Sequence, residues 1–182
     1  YFFVRANQLL RNSGTQIFIC SNTWLDVGFG IPLQYFFLST SSIKCILDSQ
    51  VERQFQSADI NTVMSFIQKK KSVEGDTCNF ITLKAPFRES LVDISKRKER
   101  KVLQSRLLSD GEDSHRNYSG TKWSNHLRAP EIYWAILGNY SDKLVQLSEI
   151  ANLSTGVKTG CDPFFILKQD IIDEWKIENE YL

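Results

Sequence analysis

The rhythm of apolar and polar positions changes several times along the 182-residue chain. Phe2, Phe3, Ala6, Leu9 and Leu10 recur at helical spacing, which predicts an amphipathic helix over residues 1–12. Asn12-Ser13-Gly14 ends it, with glycine suited to the left-handed position beyond a helix. Ile17-Phe18-Ile19-Cys20 is a short unbroken apolar run, the pattern of a strand covered on both faces. Gly28-Phe29-Gly30 then leads into a second helix over about 31–39. Strands are predicted at 43–48 and 60–68, and a further one at 77–83. Helix and strand in alternation imply an α/β fold. From about 88 to 108 the pattern turns helical and strongly basic. Ser109 to Lys122 is polar, holds two glycines and offers little to bury, so it is expected to be a linker between residues 1–108 and 123–182. Apolar character resumes from Trp123 to Leu137, and Leu147 to Ala151 reads as a short helical turn.

Composition narrows this picture. Apolar residues make up 42% and charged residues 24%, a globular balance that argues against wholesale disorder. The net charge of +1 predicts no polyanion partner, but its distribution is uneven. Residues 69–106 hold 11 of the 22 basic residues and 5 of the 21 acidic ones, a local hint of such a partner. The segment from Asp170 onward is acidic. No apolar run is long enough to span a membrane, so no membrane partner is expected, and no signal-peptide pattern opens the chain. Cys20, Cys45, Cys78 and Cys161 form no CxxC pair, which suits free thiols in a reducing cytoplasm. With only His115 and His126 and no cysteine cluster, no metal site is expected. A start in mid-pattern and a single methionine, Met64, read as a segment of something longer.

The candidate chemistry is sparse. Gly28-Phe29-Gly30 between a strand and a helix could cradle phosphate, but it lacks a third glycine and a following lysine; a tight strand-to-helix turn is the better reading. Asp48 at a strand end and Glu52 nearby could serve as acid–base groups, although carboxylates at strand ends are common. No self-contained catalytic set emerges.

The order of segments resembles a specific family. Leu9-Leu10, Gly14 and the run from Ile17 to Trp24 are similar to the helix, glycine, strand and Asn-x-Trp-Leu passage of γ-class adenine-N6 DNA methyltransferases, found in type IIG and related restriction–modification systems. Gly30 to Leu38 matches the next helix, with Gln34 where arginine is usual, and Ile43 to Asp48 matches a strand ending in Asp. Phe55-Gln56-Ser57-Ala58-Asp59-Ile60-Asn61-Thr62 fits the Phe-x-x-Ala-x-x-Asn-Thr entry to the following strand. Further on, Trp123, Leu127-Arg128-Ala129-Pro130, Leu147 to Ile150, Gly156-Val157-Lys158-Thr159-Gly160 and Phe164-Phe165 resemble the entry to a target-recognition domain. The matches leave out about 84–122 and the acidic end.

The resemblance implies the C-terminal part of a Rossmann-like methyltransferase sheet, three strands with flanking helices, followed by the beginning of a target-recognition domain. In that family the last strand is antiparallel and sits between its two predecessors, which places 60–68 between 16–20 and 43–48. The glycine-rich motif for S-adenosylmethionine and the Asn-Pro-Pro-aromatic motif have no counterpart here, so the resemblance implies cofactor binding and catalysis only with an upstream part of the same polypeptide. Phe55 takes the position that stacks on a flipped adenine, its alternative being a core phenylalanine. Asn22 and Trp24 fall at the carboxyl edge of the sheet, where Trp24 either lines a ligand pocket or packs under the helix at 31–39. Lys158 and Thr159, in a glycine-flanked turn, and Lys96, Arg97 and Lys98 are candidates for DNA phosphate contact, a solvated turn and a solvated helix face being the alternatives. The partner is double-stranded DNA. The unpaired edge of the strand at 16–20 is also expected to allow a dimer of this chain. The rival function is a non-catalytic DNA-binding specificity module.

Overall fold

The structure is a computed structural model and describes residues 1–52, 55, 60–145, 147–152, 154, 156 and 159–178. Two compact units divide the chain, Tyr1–Ala135 and Ile136–Leu182.

The first unit is built on one five-stranded sheet. Helix α1 (Phe2–Leu9) precedes β1 (Thr15–Ser21), and α2 (Ile31–Thr40) precedes β2 (Ser42–Ser49). β3 (Thr62–Gln68) and β4 (Thr77–Leu83) follow, then α3 (Phe87–Val92), β5 (Arg97–Leu103), α4 (Gln104–Ser109) and α5 (Ser124–Arg128). The strand order is β1-β3-β2-β4-β5. β3 runs antiparallel to both β1 and β2, β2 and β4 are parallel, and β5 closes the far side antiparallel to β4. The expected insertion of the third strand between the first two is therefore present, with Ile17 opposite Phe66 and Leu47 opposite Met64.

Local sequence explains these elements. In α1 the buried residues Phe3 and Asn7 lie one turn apart, and in α2 Gln34, Phe37 and Leu38 form one inward stripe. β3 alternates strictly, burying Val63, Ser65 and Ile67. In β2 a register shift between Ile43 and Cys45 marks a bulge at Lys44. Ile43 and Ile46, three positions apart, are both fully buried as a result. The core gathers Phe3, Trp24, Phe37, Ile46, Phe80, Val102, Leu107, Trp123 and Leu127. Each such side chain taken out of water contributes about 2 kcal/mol before its entropy cost.

Three expectations need correction. β1 is not covered on both faces: Phe18 packs on Phe3, but Ile17 on the opposite face is 61% exposed. The basic stretch expected to be helical is the strand β5, whose side chains alternate between the two faces of the sheet. Within 109–122, Tyr118 and Thr121 are hydrogen-bonded to Gln34 of the sheet unit, and the adjoining Trp123 is fully buried, its backbone N–H donating to the Leu25 carbonyl at 2.9 Å. Contacts divide the chain later, at Ala135/Ile136.

Helix α6 (Glu131–Tyr140) begins in the first unit. The second unit holds α7 (Leu147–Ile150), α8 (Asp162–Phe165) and α9 (Gln169–Trp175), and none of its described residues is buried. Phe164 and Phe165 meet edge to face at 5.0 Å there, both well exposed. No helix among the described residues is long and apolar enough to cross a membrane.

Candidate functional site

The carboxyl ends of β1 and β2 and the start of β3 converge at one end of the sheet. The Asn22 N–H donates to the Asn61 carbonyl at 3.0 Å, joining the end of β1 to the approach to β3. A polar cleft of about 170 Å³ lies beside them, lined by Asp48, Ser49, Glu52, Ile60, Asn61 and Thr62. Phe55 belongs to the connection between β2 and β3 and is 45% exposed, so it is not a buried core residue. Of the motif that singled it out, Gln56, Ser57, Ala58 and Asp59 lie outside the described residues, while Ile60, Asn61 and Thr62 line the cleft.

The two carboxylates at this cleft differ. The Glu52 Oε2 accepts the N–H of Phe87 at 3.0 Å, which caps the approach to α3. Asp48 is 6% exposed and its Oδ2 stands 3.5 Å from Nη2 of Arg128. Burial holds the Asp48 carboxyl above its ordinary pKa, and the neighbouring Arg128 guanidinium pulls in the other direction. The sequence gives no sign of this pairing, because 80 positions separate its members.

Trp24 packs between Phe3, Phe37 and Trp123, each ring centroid 5.9 Å away, and is 3% exposed. Of its two readings, packing is the one its surroundings match, although its edge still contributes to an apolar cleft of about 530 Å³ with Phe3, Cys20, Phe29 and Leu33. Asn22 is buried at the junction of β1 with the following turn. Gly30 is required for close approach: a Cβ there would stand 1.9 Å from the Trp24 carbonyl oxygen. Gly30 thus closes on the backbone of Trp24, as a tight strand-to-helix turn requires, whereas a Cβ at Gly28 would meet nothing within 4 Å.

Gln34 has a structural role that residue type alone does not reveal. It is 1% exposed, its amide nitrogen donates to the carbonyls of Trp24 and Leu25 at 3.2 Å and Thr121 at 3.3 Å, and its oxygen accepts from Tyr118 at 2.9 Å.

The basic run is largely engaged within the chain. Lys96 pairs with Glu89 at 2.6 Å, which raises the lysine pKa. Arg97 pairs with Glu99 at 2.6 Å, and Lys98 donates to the Ala129 carbonyl at 2.5 Å beside Glu131 at 3.3 Å. Arg100 reaches Glu131 at 3.5 Å and lies over the ring of Trp134. These contacts fasten the start of α6 to β5, with the Thr82 hydroxyl bonded to the Leu127 carbonyl at 2.7 Å. In the second unit Thr159 is half-buried and its hydroxyl accepts the Cys161 N–H at 3.2 Å, while Lys158 lies outside the described residues. All four cysteines carry free thiols, and burial pushes Cys45 up to about 12. Among the described residues no cluster of three or more His, Cys, Asp or Glu is placed to hold a metal ion.

No protein-family model and no curated protein sequence matches the chain. Solved structures do. The type IIG restriction endonuclease BpuSI superposes with a TM-score of 0.52 at 16% identity, over 96% of this chain and 22% of that one. A modification subunit of a putative type I restriction enzyme from Vibrio vulnificus YJ016 covers 61% of this chain and 28% of its own at 13% identity, with a TM-score of 0.45. A structure from a type I restriction–modification complex covers 77% of this chain and 35% of its own at 12% identity, with a TM-score of 0.42. The chain thus spans well under half the length of the structures it matches. In fold, this chain is similar to a segment of a type IIG restriction endonuclease.

Proposed function

We propose that these residues are part of a site-specific DNA adenine-N6 methyltransferase of a restriction–modification system: the end of its catalytic sheet and the start of its target-recognition domain. The observation that carries the reading is the antiparallel β3 between β1 and β2, reached by a chain whose motifs run in the order of the γ-class enzymes. Likeness in fold to a type IIG restriction endonuclease over 96% of the chain supports it.

On this reading Phe55, half-exposed, stacks on the target adenine once that base leaves the duplex, offsetting a few kcal/mol of lost stacking. Lys158 and Thr159 contact DNA phosphate from the second unit. Lys96, Arg97 and Lys98 reach phosphate only by exchanging their present carboxylate and carbonyl partners for it. S-adenosylmethionine supplies the methyl group. The family's glycine-rich motif has no counterpart in this sequence, so its binding is assigned to an upstream part of the same polypeptide.

The test is methylation of mixed-sequence duplex DNA with labelled S-adenosylmethionine by the polypeptide in which these residues occur, with Phe55→Ala alongside. N6-methyladenine formed by the unsubstituted protein, and sharply reduced in a folded Phe55→Ala variant, supports the reading. DNA binding without methylation replaces it with the specificity-module reading. Methylation untouched by the substitution keeps the enzyme and removes Phe55 from the base pocket.

A further inference from the structure

Three residues in one row across the sheet grip three consecutive residues at the end of α5. Asp48 of β2 lies in register with Thr82 of β4, and Thr82 with Lys98 of β5. The Thr82 hydroxyl donates to the Leu127 carbonyl at 2.7 Å, and the Lys98 ammonium donates to the Ala129 carbonyl at 2.5 Å. Between them, Nη2 of Arg128 donates to Oδ2 of Asp48 at 3.5 Å. The backbone is therefore held on both sides of Arg128, and its side chain is held as well.

Arg128 differs from the other cations on this row and beside it. Lys96, Arg97, Lys98 and Arg100 stand against Glu89, Glu99 and Glu131, carboxylates that are all at least partly open to water. The Asp48 side chain is buried, whereas that of Arg128 is half-exposed and covers it from outside. Among the described residues this carboxylate is the guanidinium's only hydrogen-bond partner, reached through a single nitrogen. A guanidinium is a rigid planar fork of N–H donors matched to the oxygens of an anion. Here most of that fork is uncommitted, and it is oriented from behind by a residue that lines the polar cleft.

We propose that Arg128 binds a backbone phosphate of duplex DNA beside the cleft, with Asp48 as its positioning residue. The proposal rests on the DNA-methyltransferase reading and adds to it the group that holds the sugar–phosphate chain while a base is turned out of the duplex. Phosphate contacts of this kind fix register and carry no sequence information.

The salt dependence of duplex binding by the polypeptide in which these residues occur tests it. Removing Arg128 alone strands a buried carboxylate, so Asp48→Asn serves as the background. It is compared with Asp48→Asn/Arg128→Gln and Asp48→Asn/Arg128→Lys, each first shown by urea unfolding to be folded. With Arg128→Gln, binding at low salt should weaken roughly tenfold, and the slope of log affinity against log salt should fall by about one. Arg128→Lys keeps the charge and should restore the slope. A purely structural role for the pair would move urea midpoints and leave the slopes alike. Equal slopes in all three variants overturn the proposal and keep the DNA reading. A parent polypeptide without salt-dependent duplex binding removes that reading, and the proposal with it.

Discussion

The imidazole of His126 and the indole of Trp134 stack with centroids 4.7 Å apart and ring planes within 3° of parallel. Phe80 meets the imidazole at 4.7 Å with its ring tilted by 37°, and the Arg100 guanidinium caps the indole at 4.0 Å. Four planar groups from β4, α5, α6 and β5 thus cluster at the root of α6. Burial lowers the His126 pKa to about 4, with the charges of Arg100 and Arg106 adding to the effect.

That stack makes acid sensitivity a property of one side chain. In the unfolded chain the imidazole takes up a proton near pH 6.5, whereas in the folded protein it resists until about 4. Stability is therefore complete above pH 6.5 and falls as pH drops toward 4, by roughly 3 kcal/mol at most from this residue. Urea unfolding at pH 7, 5.5 and 4.5 should show the decline, and His126→Phe should flatten it over that window. An equal slope in the variant would assign the sensitivity elsewhere.

Gln34 binds three stretches of chain together with one amide. Gln34→Ala leaves the carbonyls of Trp24, Leu25 and Thr121 and the Tyr118 hydroxyl each short of a partner. A loss of about 3 kcal/mol is expected. Gln34→Glu should do at least as much harm, since it removes the donor and sets carboxylate oxygens against carbonyls. Equilibrium denaturation of both variants is the check.

Gln16 presents the opposite case. It is 5% exposed, and among the described residues neither its amide nitrogen nor its oxygen has a hydrogen-bond partner. Replacing a buried, unpartnered amide by a hydrocarbon of similar size removes a desolvation cost. Gln16→Leu should therefore stabilise the protein by about 1 kcal/mol, seen as a raised urea midpoint with an unchanged slope.

The Asp48–Arg128 pair predicts an asymmetry between its members. Arg128→Ala leaves a buried carboxylate without its cation and should cost about 1–2 kcal/mol at neutral pH. Asp48→Asn leaves a half-exposed arginine that water can solvate, and should cost less. The Asp48 carboxyl sits above its ordinary pKa, so in Arg128→Ala part of the loss should return as pH falls and the carboxyl takes up a proton in the fold. Denaturation midpoints at pH 7 and pH 4.5, compared across the two variants, measure this.

Four strands were readable as apolar runs between turns, because Ile17 to Cys20, Ile43 to Leu47, Val63 to Ile67 and Cys78 to Leu83 meet covered surface on at least one face. β5 was not. Only Val102 among its residues is buried, and its charges are satisfied by partners distant in sequence, such as Glu131 for Lys98 and Arg100. No periodicity within the strand carries that information. Trp24 illustrates the limit at the site: its place after a strand pointed equally to a pocket and to the core, and only the rings of Phe3, Phe37 and Trp123 distinguish them. The central place of β3 was legible from family resemblance and not from its alternation, which is compatible with any half-buried neighbour.

The same central strand sets a timetable for synthesis. β1 and β2 do not pair with each other, and each needs β3, which begins about 40 residues after β1 ends. At ribosomal rates of about 5–20 residues per second, β1 waits for its partner for some 2–8 s after it is made. Through that interval its apolar run lacks the strand that pairs with it in the folded sheet. A nascent chain of this order is a natural client for a holding chaperone, and slow codons before Thr62 would lengthen its exposure.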